Sequence, residues 1–506
     1  MAEHRFKFSI ISAVYNAEKY LEDAIQSILT QDIGFEDSVE LILVDDGSPD
    51  SSGSICDFWQ KKYPDNIKVI HKENGGVSSA RNAGIAVAEG RFINFMDSDD
   101  KLSPDTLSSV YQYFITIEKT VDLVSIPIYF FEKKEQPHRL NYKFAGNKNL
   151  LVDLNQKYSF VQLSAASAFF KKEVLTPDFF STSLRYAEDA RAIMGLFLKN
   201  PRYGIVPQAR YYYRCRENMS SALNGSKLHK EWYLDCLKEY VLWSAQQALA
   251  QYDTVPPFVQ FHMMYDLQSR FRMEEFPEHV LTSSEKKEFY ALLKECLSYI
   301  SDSVILEQKN LSKEQKDLVI RTKYGAAFGT LEYKEEDYQY RYGDTITFPM
   351  SSYMVKLQKL EPQKDGFLLC GSAKTASHYP TPHEFFIRLR TKEQPLKFSC
   401  SFQKDPDRVF RYHGNMLACF YNFQVFLPYQ DLKKASTLEL CMTCGSHTVR
   451  FRNLTAEAAF PVPSAAKKHY WHYHSLLLSR TKENILIESG NLFKRGRIIL
   501  KSCFHK

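Results

Sequence analysis

The segment Phe92-Ile-Asn-Phe-Met-Asp-Ser-Asp-Asp100 ends an apolar run in three carboxylates, Asp97, Asp99 and Asp100. Carboxylates this close together repel one another unless positive charge lies among them. A divalent cation is the usual counter-charge, and hard ions such as Mg²⁺ or Mn²⁺ take carboxylate and phosphate oxygens. The apolar run reads as a buried strand. If that strand belongs to a parallel sheet, ligands bind in the crevice beyond its C-terminal end. The chemistry implied is a metal-bridged phosphate compound, such as a nucleotide-linked group donor. The same residues also suit a plain helix start, with Asp99 or Asp100 as N-cap and Pro104 in the first turn.

The elements that must position these carboxylates follow one pattern. Strands are expected at Phe6–Val14, Val39–Val44, Ile67–Ile70 and Arg91–Met96, and helices at Ala17–Thr30, Ser51–Lys62 and Val77–Glu89. Alternation of this kind implies right-handed βαβ units and a parallel sheet. Each strand then ends in polar groups on one edge: Asn16, Asp45 with Asp46, Asn74, and Asp97 with Asp99. A carboxylate there can accept from a pyrimidine N3–H or from ribose hydroxyls. Gly75 and Gly76 permit close backbone approach, and the helix N-terminus that follows favours anions. Arg81, one turn into that helix, could reach a phosphate or hold the carboxylate cluster.

Four ordered segments carry a resemblance: Ser12-Ala-Val-Tyr-Asn16, Leu43-Val-Asp-Asp-Gly-Ser48, Glu73-Asn-Gly-Gly-Val-Ser-Ser-Ala-Arg-Asn82 and Phe95-Met-Asp-Ser-Asp-Asp100. Over residues 6–105 the chain resembles the family 2 glycosyltransferases, which use the GT-A nucleotide-sugar fold. Ala13 departs from the proline usual in the family's opening segment. The resemblance implies a nucleotide-sugar donor, a UDP-sugar, contacted by Ala13, Tyr15, Asn16, Asp45 or Asp46, Asn74, Arg81, Asp97 and Ser98. It implies a metal, Mn²⁺ or Mg²⁺, with Asp99 as main ligand and Asp97 facing the ribose or a metal-bound water.

Leu184-Arg-Tyr-Ala-Glu-Asp-Ala190 opens a further apolar helical stretch. Acids at a helix N-terminus complement its dipole, but the resemblance gives this pair a second role. It implies that Asp189 deprotonates the acceptor hydroxyl and Glu188 orients the base or the acceptor. Tyr211-Tyr-Tyr-Arg-Cys-Arg-Glu-Asn-Met-Ser-Ser221 reads as a strand entering a loop. Arg214 and Arg216 suit phosphate, as do Ser220 and Ser221, and the family carries a similar segment beside the donor diphosphate. Arg214 is the preferred donor contact, and Tyr211–Tyr213 read as core. The implied reaction is a single displacement that inverts the anomeric carbon, moving a hexosyl or N-acetylhexosaminyl unit.

Beyond residue 225 four helical patterns follow, at Lys227–Gln251, Phe258–Met273, Ser284–Ile300 and Ser312–Thr322. The pattern then changes to period 2, with strands expected at Tyr353–Leu360, Gly366–Cys370, Phe385–Thr391, Phe423–Leu427, Thr437–Met442 and Thr448–Arg452. An immunoglobulin-like β-sandwich is the reading. It faintly resembles the accessory β-domains of bacterial wall-teichoic-acid and capsule transferases. The expected organisation is a GT-A catalytic domain (1–225), a helical linker (226–330), a β-sandwich (331–465) and a basic amphipathic tail (466–506). The tail, with Lys494, Arg495, Arg497, Lys501 and Lys506 among apolar residues, suits either an anionic membrane surface or a helix packed on the protein.

Composition bounds these readings. The chain has 506 residues, enough for two to four domains, with 44% hydrophobic and 25% charged residues as in an ordinary globular protein. A net charge of +5 argues against a dedicated nucleic-acid binder. His4, Arg5 and Lys7 interrupt any signal peptide, and no run approaches the roughly 18 apolar residues of a membrane span. The ten cysteines show no disulfide framework, so a reduced, cytosolic protein is expected. Cys441-Met-Thr-Cys444 reads as strand residues before a turn at Gly445, with a zinc site as the alternative. The expected acceptor is a bacterial surface polysaccharide, a teichoic acid or a lipid-linked glycan, and a homo-oligomer is expected through the β-domain. Two other classes compete. One is a non-catalytic carbohydrate-binding protein on the same scaffold, against which the intact Asp97, Asp99, Glu188 and Asp189 argue. The other is a nucleotidyltransferase, whose glycine-rich basic loop is missing from Ser12–Asn16.

Overall fold

The first strand, β1 (Phe6–Val14), is buried along nearly its whole length, and β2 (Val39–Asp45) is buried at every residue. Both faces of such strands must be covered, which is the situation of a central parallel sheet. In the computed structural model β1 pairs in parallel with β2 and with β4 (Gly90–Phe95), and β3 (Ile67–His71) pairs with β2. Helices α1 (Leu21–Leu29), α2 (Ser52–Lys62) and α3 (Val77–Val87) make the crossovers. Helix α3 lies close on the sheet because Gly84 carries no side chain: a Cβ there would come within 2.4 Å of Ile11 Cγ2. The structure describes residues 4–216, 225–325, 329–458, 460, 471–473, 476–481 and 483–489.

Four more strands extend the sheet: β5 (Leu123–Ser125), β6 (Leu150–Asp153), β7 (Ala168–Lys171) and β8 (Arg202–Ile205). The order is β3-β2-β1-β4-β7-β5-β8-β6, with β7 antiparallel to both β4 and β5. Helix α4 (Glu188–Lys199) precedes β8. A second sheet of four strands is built around β9 (Tyr211–Cys215), between Lys101–Leu102 and Ile128–Glu132. The core beneath the main sheet is aromatic: Phe92 stacks on Phe114 at 4.1 Å, and Phe8 meets Phe169 edge-on at 5.6 Å.

The chain divides into two compact units, Met1–Leu267 with Pro277–Val304, and Gln268–Phe276 with Ile305–Lys506. The first unit therefore keeps most of the expected helical linker, including α5 (Pro257–Leu267) and the helix Ser283–Ser298, which starts on a Thr282/Glu285 capping box. The helix expected at Lys227–Gln251 is interrupted by a π-helical turn, Leu237–Leu242.

In the second unit an eleven-stranded sheet curls over one core. Its middle strands are β10 (Val355–Gln363), β11 (Gly366–Ala376), β12 (Glu384–Thr391), β13 (Leu396–Tyr412), β14 (Asn415–Pro428) and β15 (Ala435–Cys444). The two halves meet in β13, whose Leu396–Cys400 stretch pairs with β12 and whose Ser401–Tyr412 stretch pairs with β14. Phe385 contacts Phe402, Tyr421 and Phe451 at 5.0–6.2 Å inside the curl. The expected sandwich is thus one sheet folded on itself. Cys441 and Cys444 are buried strand residues of β15, and burial pushes both thiols up to about 12. Strands at Trp471–Tyr473, Leu476–Arg480 and Ile485–Ser489 complete this sheet, so the described part of the expected tail belongs to it. Residues 490–506, with the basic cluster and its expected membrane contact, lie outside the described residues. Among the described residues no helix is long and apolar enough to cross a membrane.

Candidate active site

The parallel strands bring their C-terminal ends to one edge, as their polar ends required. Two loops there are laced together. The Asn16 amide donates to Ser48 Oγ at 3.3 Å, Ala17 N to Ser52 Oγ at 2.9 Å, and Glu18 N to Asp50 Oδ2 at 3.0 Å. Asn16 makes this turn with a left-handed φ of 53°, which asparagine tolerates better than most residues. Tyr15 and Asn16 are exposed at the crevice rim, and Ala13 is half-buried in β1. Asn74, three residues past the end of β3, is exposed as well.

The two aspartates after β2 have different surroundings. Asp46 is buried and accepts from the amides of Gly75 at 3.0 Å and Gly76 at 2.8 Å, and from Lys72 Nζ at 2.6 Å. The glycine amides expected to face a ligand anion therefore hold a carboxylate of the protein itself. Asp45 accepts from Ser48 N at 3.0 Å and pairs with His71 Nδ1 at 2.9 Å. Burial works to raise the Asp45 carboxyl, but the bonds from Ser48 and His71 leave it below its ordinary value. The other ring nitrogen of His71 lies 2.9 Å from Asp57, and Asp57 with Asp45 raises the imidazole above its ordinary value.

Arg81 joins the two acidic motifs that lie far apart in sequence. Its side chain is 6% exposed. Nη2 donates to Asp97 at 3.0 Å, and Nη1 donates to Asp189 at 2.7 Å and Glu188 at 3.2 Å. The guanidinium also lies 5.3 Å from the Phe180 ring. Of the two roles open to Arg81 in the sequence, the structure places it on the carboxylates. Helix α4 presents Glu188 and Asp189 in its first turn because Ala187 enters it with a left-handed φ of 66°. Asp189 Oδ2 accepts from the Ala165 amide at 2.8 Å. Burial, and then repulsion from Asp189, push the Glu188 carboxyl up to about 7 against the pull of Arg81. Withdrawal from solvent and the neighbouring Asp99 and Asp189 raise Asp97 despite Arg81.

The turn after β4 is held from β9. Asp100 accepts from Tyr211 Oη at 2.7 Å and from the Arg214 amide at 2.8 Å, and is buried. Ser98 is buried in the same turn. Arg214 is buried as well: its Nε donates to the Asp99 carbonyl at 2.6 Å, Nη2 to Asp23 at 3.0 Å, and Nη1 to Glu132. Every arm of that guanidinium is occupied, so Arg214 braces the turn rather than facing the crevice. Arg216 instead holds Asp99 Oδ2 through Nε at 2.9 Å and Nη2 at 2.5 Å, over the Tyr20 ring at 4.8 Å. Ser220 and Ser221 lie outside the described residues.

A divalent ion fits this donor set. Asp97, Asp99, Glu188 and Asp189 outnumber the two guanidinia, Arg81 and Arg216, that pair with them. Asp97 Oδ2 and Asp99 Oδ1 have no protein partner among the described residues. Mg²⁺ needs only one or two carboxylates when substrate phosphates complete its shell. Among the described residues no group of three or more His, Cys, Asp or Glu is arranged to hold a metal ion.

The profile of glycosyl transferase family 2 matches residues 9–177, which run from within β1 past the end of β7 and include the Asp97–Asp99 turn. The minor teichoic acid biosynthesis protein GgaA of Bacillus subtilis (strain 168) is 36% identical over 306 residues, covering 60% of this chain and 68% of GgaA. The chain belongs to glycosyl transferase family 2. A second relative in the same organism, the minor teichoic acid biosynthesis protein GgaB, is 35% identical over 370 residues. That match covers 72% of this family 2 chain but only 41% of GgaB. Among solved structures, Staphylococcus aureus TarS superposes with a TM-score of 0.59 over 97% of this chain and 86% of TarS, at 17% identity. Its fragment 1–349, solved with UDP-GlcNAc, gives a TM-score of 0.51 over 68% of this chain and 99% of the fragment, at 20% identity. At these identities the likeness to TarS concerns the fold, which it supports in both the α/β and the curled β parts.

Two residues touch the carboxylate turn in ways the sequence does not single out. Tyr211 reads as core, and is, but its hydroxyl reaches the carboxylate turn. Arg216 was ranked behind Arg214. The signal lay in strand alternation, which puts the two arginines on one face but leaves the second nearer the strand's end and the crevice.

Proposed function

We propose that the chain transfers a hexosyl or N-acetylhexosaminyl unit from a UDP-sugar to a hydroxyl of a teichoic-acid-type polymer, with inversion at the anomeric carbon. The observation that carries this reading is Arg81, which holds the donor-side Asp97 and the acceptor-side Asp189 on one guanidinium, at 3.0 and 2.7 Å. A base that close to the donor site suits direct attack and leaves no need for a covalent sugar intermediate. The acceptor class is supported by the names of GgaA and GgaB, and the donor class by the UDP-GlcNAc complex of the TarS fragment.

Each residue then has a task. Asp45, with Asn16 and Asn74 at the rim, offers hydrogen bonds to the base and ribose, while Asp46 keeps the glycine turn in shape. Mn²⁺ or Mg²⁺ held by Asp99 and Asp97 would supply positive charge to the leaving diphosphate. Arg216, released from Asp99, takes the phosphate role expected of Arg214. Asp189, its second oxygen fixed by Ala165 N–H, receives the acceptor proton as the acceptor oxygen attacks the face opposite the diphosphate. Glu188 orients the acceptor. Homo-oligomerisation and a cytoplasmic location, where nucleotide-sugars are available, belong to the same reading.

The test is release of UDP from UDP-GlcNAc and related donors with Mn²⁺ and a polyol-phosphate acceptor, with the product anomer read by NMR. Turnover with inverted configuration supports the reading. Retained configuration, or no turnover with any UDP-sugar, refutes it.

A further inference from the structure

Behind Asp189 lies a chain of buried polar side chains that the reaction itself does not use. The amide of Ala165 that fixes Asp189 Oδ2 belongs to residues 161–168, so its position depends on what holds that segment. Gln162, 2% exposed, is the hub. Its Nε2 donates to the Ser164 carbonyl at 2.8 Å and to Ser167 Oγ at 3.2 Å. Its Oε1 accepts from Lys143 Nζ at 2.5 Å and from Ser125 Oγ at 2.6 Å. Lys143 also donates to the Val161 carbonyl at 2.9 Å.

The helical stretch reaches the same hub. The Gln162 amide donates to His262 Nε2 at 3.2 Å, and His262 Nδ1 lies 2.7 Å from the Phe258 carbonyl within α5. A carbonyl only accepts, so the ring proton is on Nδ1 and Nε2 is free to accept. Asn94 on β4 donates to the carbonyls of Ala166 and Ala168 at 2.9 and 2.8 Å. A buried polar network pays a desolvation cost that apolar packing avoids, and in return it fixes one geometry when its members are satisfied. Here the geometry fixed is that of one backbone amide, and that amide points at the proposed base.

We propose that Gln162 is a positioning residue for Asp189, acting through Ser164-Ala165 and itself held by Lys143 and His262. The proposal rests on Asp189 being the base. It gives the helical stretch a part in catalysis, because α5 supplies His262.

The experiment compares the full chain with Gln162→Glu and Gln162→Met, each alone and combined with Asp189→Asn, measuring kcat, donor KM and melting temperature. Gln162→Glu keeps an acceptor for Lys143 and Ser125 but loses the donor to Ser164, so it separates the bond from the packing. Displacing a catalytic group by a fraction of an ångström costs about 10-fold in rate or more. We expect kcat to fall on the order of 10-fold in both variants, with donor KM held within about twofold. In the Asp189→Asn background the same changes should have no further effect on the residual rate. The proposal is overturned if kcat is unchanged, if donor KM rises in step with the loss, or if the loss persists undiminished beside Asp189→Asn. Should both variants melt out, Lys143→Met in the same assay decides by the same criteria. If Asp189→Asn alone keeps the wild-type rate, the reading of the base fails instead, which is a separate result.

Discussion

Replacing Arg81 with methionine would leave three carboxylates facing one another around an apolar side chain. The side chains of Glu188 and Asp189 are 14% and 21% exposed, whereas Asp97 is 36% exposed and partly screened. Only the first two should therefore be counted at the cost of breaking a buried ion pair, about 3–5 kcal/mol, with Asp97 adding little. In a unit of about 295 residues, an unfolding entropy of about 2.1 cal/mol/K per residue makes a loss of 1 kcal/mol worth about 1.6 °C in Tm, so a fall of roughly 5–8 °C is expected near neutral pH. The loss should depend on pH. Glu188 has an ordinary value of 4.5 and is raised to about 7 in the folded protein; without Arg81 it rises further. Between those values the unfolded chain gives up its proton first, so raising pH across that window favours unfolding. Arg81→Met should accordingly be destabilised less at pH 5 than at pH 8, where the acids must ionise without their counter-charge. Thermal melts of both proteins at the two pH values provide the assay. An equal loss at both would show that Arg81 matters for its packing on Phe180 and not for its charge.

Asp99→Ala should abolish transfer and weaken donor binding, and full activity in EDTA would refute the metal role given to Asp99. Asp189→Asn should lower kcat by a factor on the order of 10²–10⁴ with donor affinity kept, as calorimetry would show; loss of affinity together with rate would make it a donor-site residue. Arg214→Met should lower Tm, since it removes the charge paired with Asp23 and Glu132, whereas Arg216→Met should raise donor KM with little change in Tm. The opposite assignment of effects would restore the phosphate role to Arg214.

The parallel half of the α/β sheet was legible because each of its strands is apolar and each crossover helix has a helical period. The strand expected at Phe6–Val14 is observed with those bounds, and the others differ by a residue or so at their ends. The carboxylates of the site were visible for the same reason: they stand where those strands stop. What stayed hidden was pairing between distant residues. That Asp46 spends its oxygens on Gly75 and Gly76, or that Arg81 reaches from α3 to α4, depends on a fold that brings them together. The seventeen-residue strand β13 was not recognised at all. Its Gln403-Lys-Asp-Pro-Asp-Arg408 stretch carries charges and a proline that argue for a loop, and a bulge between Asp405 and Val409 accommodates them. Helix periodicity says where a helix is, not which core it joins, and most of the stretch expected as a helical linker lies in the first compact unit.

The same strand shapes how the β unit comes apart. Because β13 gives its first residues to β12 and the rest to β14, neither half of the curled sheet can be peeled away without stripping hydrogen bonds from the other. Two stacked sheets joined only by loops would permit one layer to open alone. A shared strand links their amides into a common cooperative block, in which opening at β12 is felt at β14. The unit is therefore built to be lost as a whole or kept as a whole, and the charged, proline-bearing middle of β13 follows just after the Cys400–Ser401 step that ties the two halves together.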